Sequence, residues 1–433
     1  MSDLISAKTD KKSANSKFSA RGWLIVFLGM AMWFFAAAMN VEGANLIIPA
    51  FSAAYSVSAA ALYSIATVAS LLTIPGVAAC GALQNKIGPR KTILICWVVA
   101  ACGMGVLGLA RNLAVYCIGR LLMGVGANCA TYIGLNGIIT NWFPRKKDLV
   151  QGYVTMGSNL STALCLYLIG FLLAKVSLSG TFFVWGVVYL ALGLLSFFLL
   201  RDNPEELGEY PDNDRTVSQE EVQERFRQGE AYRKNNAMTT KDILKKKQTW
   251  QIAVGYGIIL LITVGILSTL VTTLIIKGLP EARAISIMTI AAVLGIPCSY
   301  LWGWLGVKFS TKKATLLLYA VIFAMIAFML IPGTWTSYVT AVLLGCFIGA
   351  GNNLTPSIIA TVFGRYDFPK ALSVIMPIWN IVVAFANTIV GVPQSLTGSY
   401  VAAYIVLAVV AVIGLILVLT LDDRCIGLSD EET

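Results

Sequence analysis

Two charged residues stand inside the long apolar runs of this chain, the carboxylate Glu42 and the guanidinium Arg120. A charge near a bilayer centre costs roughly 2.5–3.5 kcal/mol or more, so each needs a partner or a purpose. At 1.5 Å per residue, Glu42 lies about 13 Å inside the end of its run near Phe51, and Arg120 about 10 Å inside the end of its own near Leu113. At such similar depths, two readings stand. The pair is either a structural ion pair that never touches a substrate, or a site where Arg120 holds an anion and Glu42 takes up a proton. The chain has no histidine, which removes the usual near-neutral proton carrier and a common metal ligand, and leaves Glu42 as the protonation candidate. Nine cysteines are scattered without a Cys-x-x-Cys pair, which argues against a disulfide framework or a zinc site. No Gly-x-x-x-x-Gly-Lys-Ser/Thr run occurs, so neither a nucleotide cofactor nor enzyme chemistry driven by ATP is expected.

Polar side chains on the same and related runs form a second tier. Asn40 and Asn45 flank Glu42, while Asn128, Thr131, Tyr132 and Asn136 follow Arg120. Further on, Asn352-Asn353-Leu-Thr355-Pro356 combines amides with a proline that frees a backbone carbonyl, a common way to build a site inside a membrane. Trp33 and Trp379-Asn380 offer an aromatic wall. Each asparagine equally suits an interhelical hydrogen bond, and each aromatic suits a core or lipid-facing place.

These residues need elements to hold them. The 433 residues are 57% hydrophobic and only 12% charged, against about 25% charged in ordinary soluble domains. Twelve apolar segments can be read: 22–51, 58–84, 91–110, 113–141, 149–174, 179–200, 250–276, 284–307, 314–332, 336–364, 371–394 and 398–421. Each is long enough to cross a bilayer as a helix, the form that satisfies its own backbone in lipid. The first run is too long for a signal-peptide core, so no cleaved leader is expected. The expected organisation is a tail 1–21, a six-helix bundle 22–200, a linker 201–249, a second bundle 250–421 and a tail 422–433. With the basic N-terminus placed inside, inner loops and tails hold 27 Lys and Arg and outer loops hold four. That asymmetry predicts a multi-pass cell-membrane protein with both termini cytoplasmic, and it explains the +10 net charge without nucleic acid. The linker reads as a flexible tether in which 217–234 can form a short charged helix, and Lys245-Lys246-Lys247 meets anionic lipid.

The halves echo one another. Gly81-Ala-Leu-Gln-Asn85-Lys86-Ile-Gly88-Pro-Arg90-Lys91 matches Gly303-Trp-Leu-Gly-Val307-Lys308-Phe-Ser310-Thr-Lys312-Lys313, and Pro75 precedes the first glycine by the same interval as Pro297 precedes the second. Gly124-Val-Gly126 matches Gly349-Ala-Gly351, and Phe143-Pro-Arg145 matches Phe363-Gly-Arg365. Repetition in register indicates a duplicated unit. Loop 81–91, its copy 303–313 and Arg120-x-x-x-Gly124 resemble the signatures of the major facilitator superfamily over essentially the whole chain. Trp142-Phe-Pro-Arg145-Lys and Asn203-Pro-Glu-Glu-Leu-Gly-Glu-Tyr-Pro-Asp212 look most like its oxalate:formate antiporter and monocarboxylate-transporter branch.

The resemblance implies an all-α membrane fold of twelve helices in two pseudo-symmetric bundles, with the first and fourth spans lining a central cavity. It implies gating at Gly81, Lys86, Arg90, Lys91, Asp148, Gly303 and Lys308, with the basic group of loop 81–91 pairing with Asp148 in place of the aspartate absent from Asn85 and Val307. The eleventh span has no basic residue, unlike the oxalate carrier, and 149–174 lacks the proline usual in drug antiporters. The expected function is therefore secondary transport of a small organic anion, a monocarboxylate, by alternating access with proton symport or exchange. A proton-coupled carrier of a neutral or zwitterionic metabolite is the alternative; a drug exporter or a non-transporting sensor ranks behind both. A single copy is expected to suffice, with substrate, protons and lipid as partners.

Overall fold

Residues 17–235 and 237–428 are described in the computed structural model. The expected basic positions Lys8, Lys11 and Lys12 of the N-terminal tail, Asn236 and the last five residues lie outside them. Every expected segment is a helix. Ten helices among the described residues are long and apolar enough to cross a membrane, the first being Ala20–Tyr55. One of the ten, Thr334–Thr397, has 64 residues, about 96 Å at 1.5 Å per residue and three times the hydrocarbon thickness. It breaks at Gly364 (φ 69°, ψ 170°), a backbone angle that only glycine adopts without strain. The break separates a tenth span, 334–363, from an eleventh, 365–397. With the 29-residue second span Ala59–Ile87 the crossings number twelve. Ends fall within about a turn of expectation, except that the eleventh span begins at the Gly364 break rather than at 371.

Two spans are locally underwound. The first passes through a π turn at Ala38–Glu42, and the fourth, Leu113–Trp142, through another at Cys129–Leu135. The tenth is interrupted between Ile348 and Gly351. Measured from Leu113 and Thr334, where the fourth and tenth spans begin, Gly124 and Gly349 stand one helical turn out of register with each other.

The duplication is visible in the packing. A methyl group on Gly81 would collide with Ser373 Cβ, and one on Gly303 would lie 2.5 Å from the Asp148 carbonyl and 3.1 Å from Gly152 Cα. Gly152 and Ser373 are as far apart along the chain as the starts of the fourth and tenth spans, so they are equivalent positions of the repeat. The second span therefore crosses the eleventh as the eighth, Glu281–Phe309, crosses the fifth, Lys147–Lys175. Hydrogen bonds between the halves keep to the side that carries the linker. Tyr132 Oη donates to Asn352 Oδ1 (2.9 Å), Asn159 Nδ2 to Ser299 Oγ (2.8 Å) and Gly295 O (3.0 Å), and Thr311 Oγ1 to Asp148 Oδ1 (3.0 Å). Each lies at or below the middle of its span on that side, and no hydrogen bond joins the halves beyond the middle among the described residues. The molecule is closed on the linker side.

The linker corrects its expected role as a loose tether. It folds into the helix Gln219–Asn235 between short turns at Glu205–Leu207 and Pro211–Asn213 and the second bundle. Trp142 Nε1 donates to Arg201 O (2.9 Å) and Asn141 Nδ2 to Asp202 O (3.0 Å), while Tyr232 Oη donates to Asp367 Oδ2 (2.8 Å). Asp202, Glu205 and Asp212 find partners in the two halves, which helps keep a charged, apolar-poor stretch ordered.

Candidate functional site

Glu42 and Arg120 do not pair. Arg120 spreads its guanidinium over two carbonyls of the first-span π turn, Nη1 to Met39 O (2.7 Å) and Nη2 to Asn40 O (2.6 Å). A π turn shifts the backbone ladder by one residue, and the fork geometry of arginine suits the carbonyls this leaves pointing sideways. Glu42 Oε1 instead accepts a 2.7 Å bond from Thr162 Oγ1 of the fifth span. Glu42 thus faces the fifth span, while the Met39 and Asn40 carbonyls face the fourth. Arg120 borders a small cavity within the N-terminal bundle, beside Met39, Ile47, Tyr116 and Phe182. Reading the two charges as partners was wrong: their depths are similar, but they turn to different helices.

The residues that meet between the halves are aromatic and amide. Tyr132 stands edge-on to Trp33 (centroids 4.7 Å, 74°) and to Trp379 (6.0 Å, 79°), and its hydroxyl donates to Asn352. Four spans converge there: the first, fourth, tenth and eleventh. The interval from Tyr132 to Asn352 is the one that also relates Phe143 to Phe363. Repeat-related positions touch only near a pseudo-twofold axis, so this bond marks the axis. Pro356 has no N–H for the Asn352 carbonyl four residues earlier, which leaves that oxygen available.

Around Tyr132 the polar groups are unevenly used. Trp33 Nε1 and Trp379 Nε1, on the two indoles against Tyr132, are buried and have no hydrogen-bond partner, and Asn40 Nδ2, further along the first span and level with Arg120, has none either. Buried donors are almost always satisfied, and an orphan costs about 1–3 kcal/mol, so the two indoles flanking Tyr132 call for an acceptor supplied from elsewhere. Other expected site residues have structural partners. Asn136 donates to Tyr132 O and accepts from Gln151, Thr131 bonds back to Ala127 O (2.9 Å), and Asn353 Nδ2 donates to Ser299 O (2.9 Å). Asn128 and Asn380 are half-buried, and Asn45 is exposed at the far end of the first span. The sequence reading missed Thr162, Asn159 and Ser299, because single hydroxyls and amides in apolar helices carry no spacing signal.

The gate also differs from expectation. Lys86 and Lys91 are exposed. Arg90 lies over the Phe197 ring (4.2 Å), and its backbone N–H donates to Asp202 Oδ1 (2.6 Å). Lys308 lies over Trp304 (4.4 Å). Asp148 is held by Thr311 at the start of the ninth span, Thr311–Leu330, and beneath Gly306, so it faces the second copy of the loop and not the first. The basic side chains are long and reach outward or to the linker instead, while Asp148 is short and buried where the helix crossings are closest.

Comparison with known proteins follows this geometry. Human monocarboxylate transporter 6 is 28% identical over 112 residues, which span 26% of this chain and 22% of that one. Among solved structures, the proton:xylose symporter XylE superposes with a TM-score of 0.71 at 14% identity, covering 94% of this chain and 97% of that one. FucP, in its outward conformation, gives 0.67 at 15% identity over 92% and 98%. The human organic anion transporter MFSD10 gives 0.68 at 11% identity over 91% and 98%. The sequence profile of the Major Facilitator Superfamily matches residues 23–321 and again 278–425, so with this fold the chain belongs to the major facilitator superfamily of membrane transporters.

Proposed function

We propose that the chain carries a small organic anion, a monocarboxylate, together with a proton, by alternating access about the Tyr132–Asn352 axis. The linker side is the cytoplasmic side on this reading, as the placement of Lys and Arg requires. The observation that carries it is the pair of unpartnered indole donors, Trp33 Nε1 and Trp379 Nε1, on either side of Tyr132. Two carboxylate oxygens accept several hydrogen bonds and leave a short apolar remainder for the rings. The partial likeness to a monocarboxylate transporter supports the same class.

Charge balance supplies the coupling. Arg120 is bonded directly to the Met39 and Asn40 carbonyls, which satisfy its donors without neutralising its charge. With Glu42 ionised, the site without an anion is neutral. An entering anion makes it negative in a low-dielectric region, and one proton on Glu42 restores neutrality. The Thr162 hydroxyl donates to an ionised Glu42 and accepts from a protonated one, so either state is held. Counterflow and pH-driven uptake of short monocarboxylates in proteoliposomes test this. Glu42→Gln is expected to keep counterflow and lose accumulation driven by a pH gradient. Retained gradient-driven accumulation in that variant rules out Glu42 as the proton site, and counterflow seen with sugars or amino acids but not monocarboxylates rules out the substrate class.

A further inference from the structure

The linker consists of two pieces, each fastened to one half. Residues 201–214 lie on the first half. Trp142 and Asn141 donate to the Arg201 and Asp202 carbonyls, and the Asp212 carboxylate accepts the Arg145 N–H (2.9 Å) and the Lys146 N–H (3.0 Å) of the turn before the fifth span. The helix Gln219–Asn235 and Met238 lie on the second half, where Tyr232 Oη and Met238 N–H take the two Asp367 oxygens (2.8 Å each). Gly229 stands inside that helix, an unfavourable place for glycine, because a Cβ there would overlap the Tyr366 ring. Only residues 215–218 join the two pieces along the chain.

Each piece also reaches over to the opposite half. Glu205 Oε1 of the first accepts a 2.9 Å bond from Arg365 Nη1 at the start of the eleventh span, with side chains only 2% and 5% exposed. Arg233 Nη2 of the second donates to Asn85 O at the end of the second span (3.2 Å). The pieces meet through Gln223 Nε2 on Glu205 O (2.9 Å) and Gln219 Nε2 on Gly208 O (3.3 Å). Arg365 is the repeat counterpart of Arg145, which meets Asp214 (3.4 Å). Residues 205–214 therefore straddle the pseudo-twofold with an acid against each arginine.

We propose that the linker is a two-point latch: Glu205–Arg365 and Arg233–Asn85 fasten the linker side shut, and both bonds break on opening while the Asp212 and Asp367 seats stay with their own halves. The seats lie within one half each, so a movement of the halves does not stretch them. The crossing bonds join residues of opposite halves and are stretched by any parting of the two. Residues 215–218 then remain as the covalent join, and the five steps from Asp214 to Gln219 extend to about 17 Å, so the pieces can separate without leaving their seats. Opening brings Glu205 and Arg365 into water, which solvates both charges. A closed state that lacks one of the two keeps the other charge buried without its counter-charge, at a large cost. Removing either member therefore favours the open state, and removing both adds little to removing one.

Ser373 packs on Gly81 of the opposite half and is 8% exposed with the linker side closed, so a thiol there reports opening. In a cysteine-free background, maleimide labelling of Ser373→Cys in the purified full chain is normalised to exposed Lys241→Cys. Arg365→Gln is expected to raise it at least about tenfold. Glu205→Gln combined with Arg365→Gln raises it no further than Arg365→Gln alone, and Arg233→Ala, at the rim, raises it about threefold. Arg227→Gln removes a charge from an exposed place on the same helix and is expected to change nothing. Protein that keeps only Cys129, 1% exposed inside the first bundle, is labelled in parallel to detect unfolding. Unchanged Ser373→Cys labelling in Arg365→Gln or in Arg233→Ala overturns the latch. A rise matched at Cys129, or a double variant whose effect is the product of the two single ones, overturns it as well. No substrate enters the measurement, so it stands or falls separately from the monocarboxylate reading.

Discussion

Replacing Arg120 decides whether its charge meets substrate or its fork holds backbone. Arg120→Ala removes two hydrogen bonds of 2.7 and 2.6 Å from a charged donor. Such bonds are worth about 1.5–3 kcal/mol each, so the loss is roughly 3–6 kcal/mol before relaxation. Rewinding the π turn at Ala38–Glu42 into α-helix recovers part of it, while rotating Asn40 and Glu42 out of place. The expected outcome is a lower melting temperature in detergent and a lower maximal transport rate together. Arg120→Lys is the sharper test, because an ammonium keeps the charge but lacks the planar fork that reaches two carbonyls at once. A positioning role predicts that lysine behaves almost as poorly as alanine in both assays. Lysine restoring transport, or alanine melting like the parent while its KM for the anion rises steeply, would refute the argument and return Arg120 to the substrate.

Three other substitutions probe the site and the gate. Trp379→Phe keeps the ring against Tyr132 and deletes one unpartnered N–H; KM for a monocarboxylate is expected to rise about fivefold to tenfold, near the ~1 kcal/mol of one hydrogen bond, with no loss of thermal stability. Gly303→Ala places a methyl 2.5 Å from the Asp148 carbonyl, which forces the fifth and eighth spans apart on the linker side and is expected to raise labelling of Ser373→Cys. Glu205→Gln leaves the Arg365 guanidinium without its carboxylate in a buried place. A loss of about 3–5 kcal/mol is typical of such breaks, so maleimide labelling of Ser373→Cys, at a position buried against Gly81, should rise.

The spans are legible in the sequence because lipid allows few backbone solutions, so hydropathy and length nearly determine them. The repeats at 81 and 303 are legible because close helix crossings demand glycine, and both glycines pack against the opposite half. Partner choice is not legible. Glu42 and Arg120 stand out as charges within spans, yet a π turn of five residues decides which way each one points, and no composition signal encodes such a turn. The linker misleads for a related reason. Glu205 and Asp212 look like solvated charges in sequence and become buried only because Arg365 and the Arg145–Lys146 turn lie opposite them, in residues far away along the chain.

The placement of bonds between the halves constrains how such a molecule can move. Tyr132–Asn352 lies at the pseudo-twofold, and the Gly81–Ser373 and Gly303–Gly152 crossings lie off it toward the linker. A rocking of one half on the other displaces each contact in proportion to its distance from the pivot. The axial bond therefore changes least, while the glycine crossings and the Glu205–Arg365 bond must open. An aromatic and amide layer on the pivot can then stay ordered in both orientations, whereas the contacts at the periphery are remade each time the linker side opens. The pivot and the closing contacts thus fall on different residues, and a change at Gly303 should alter transport rate and conformational bias with little effect on which substrate is chosen.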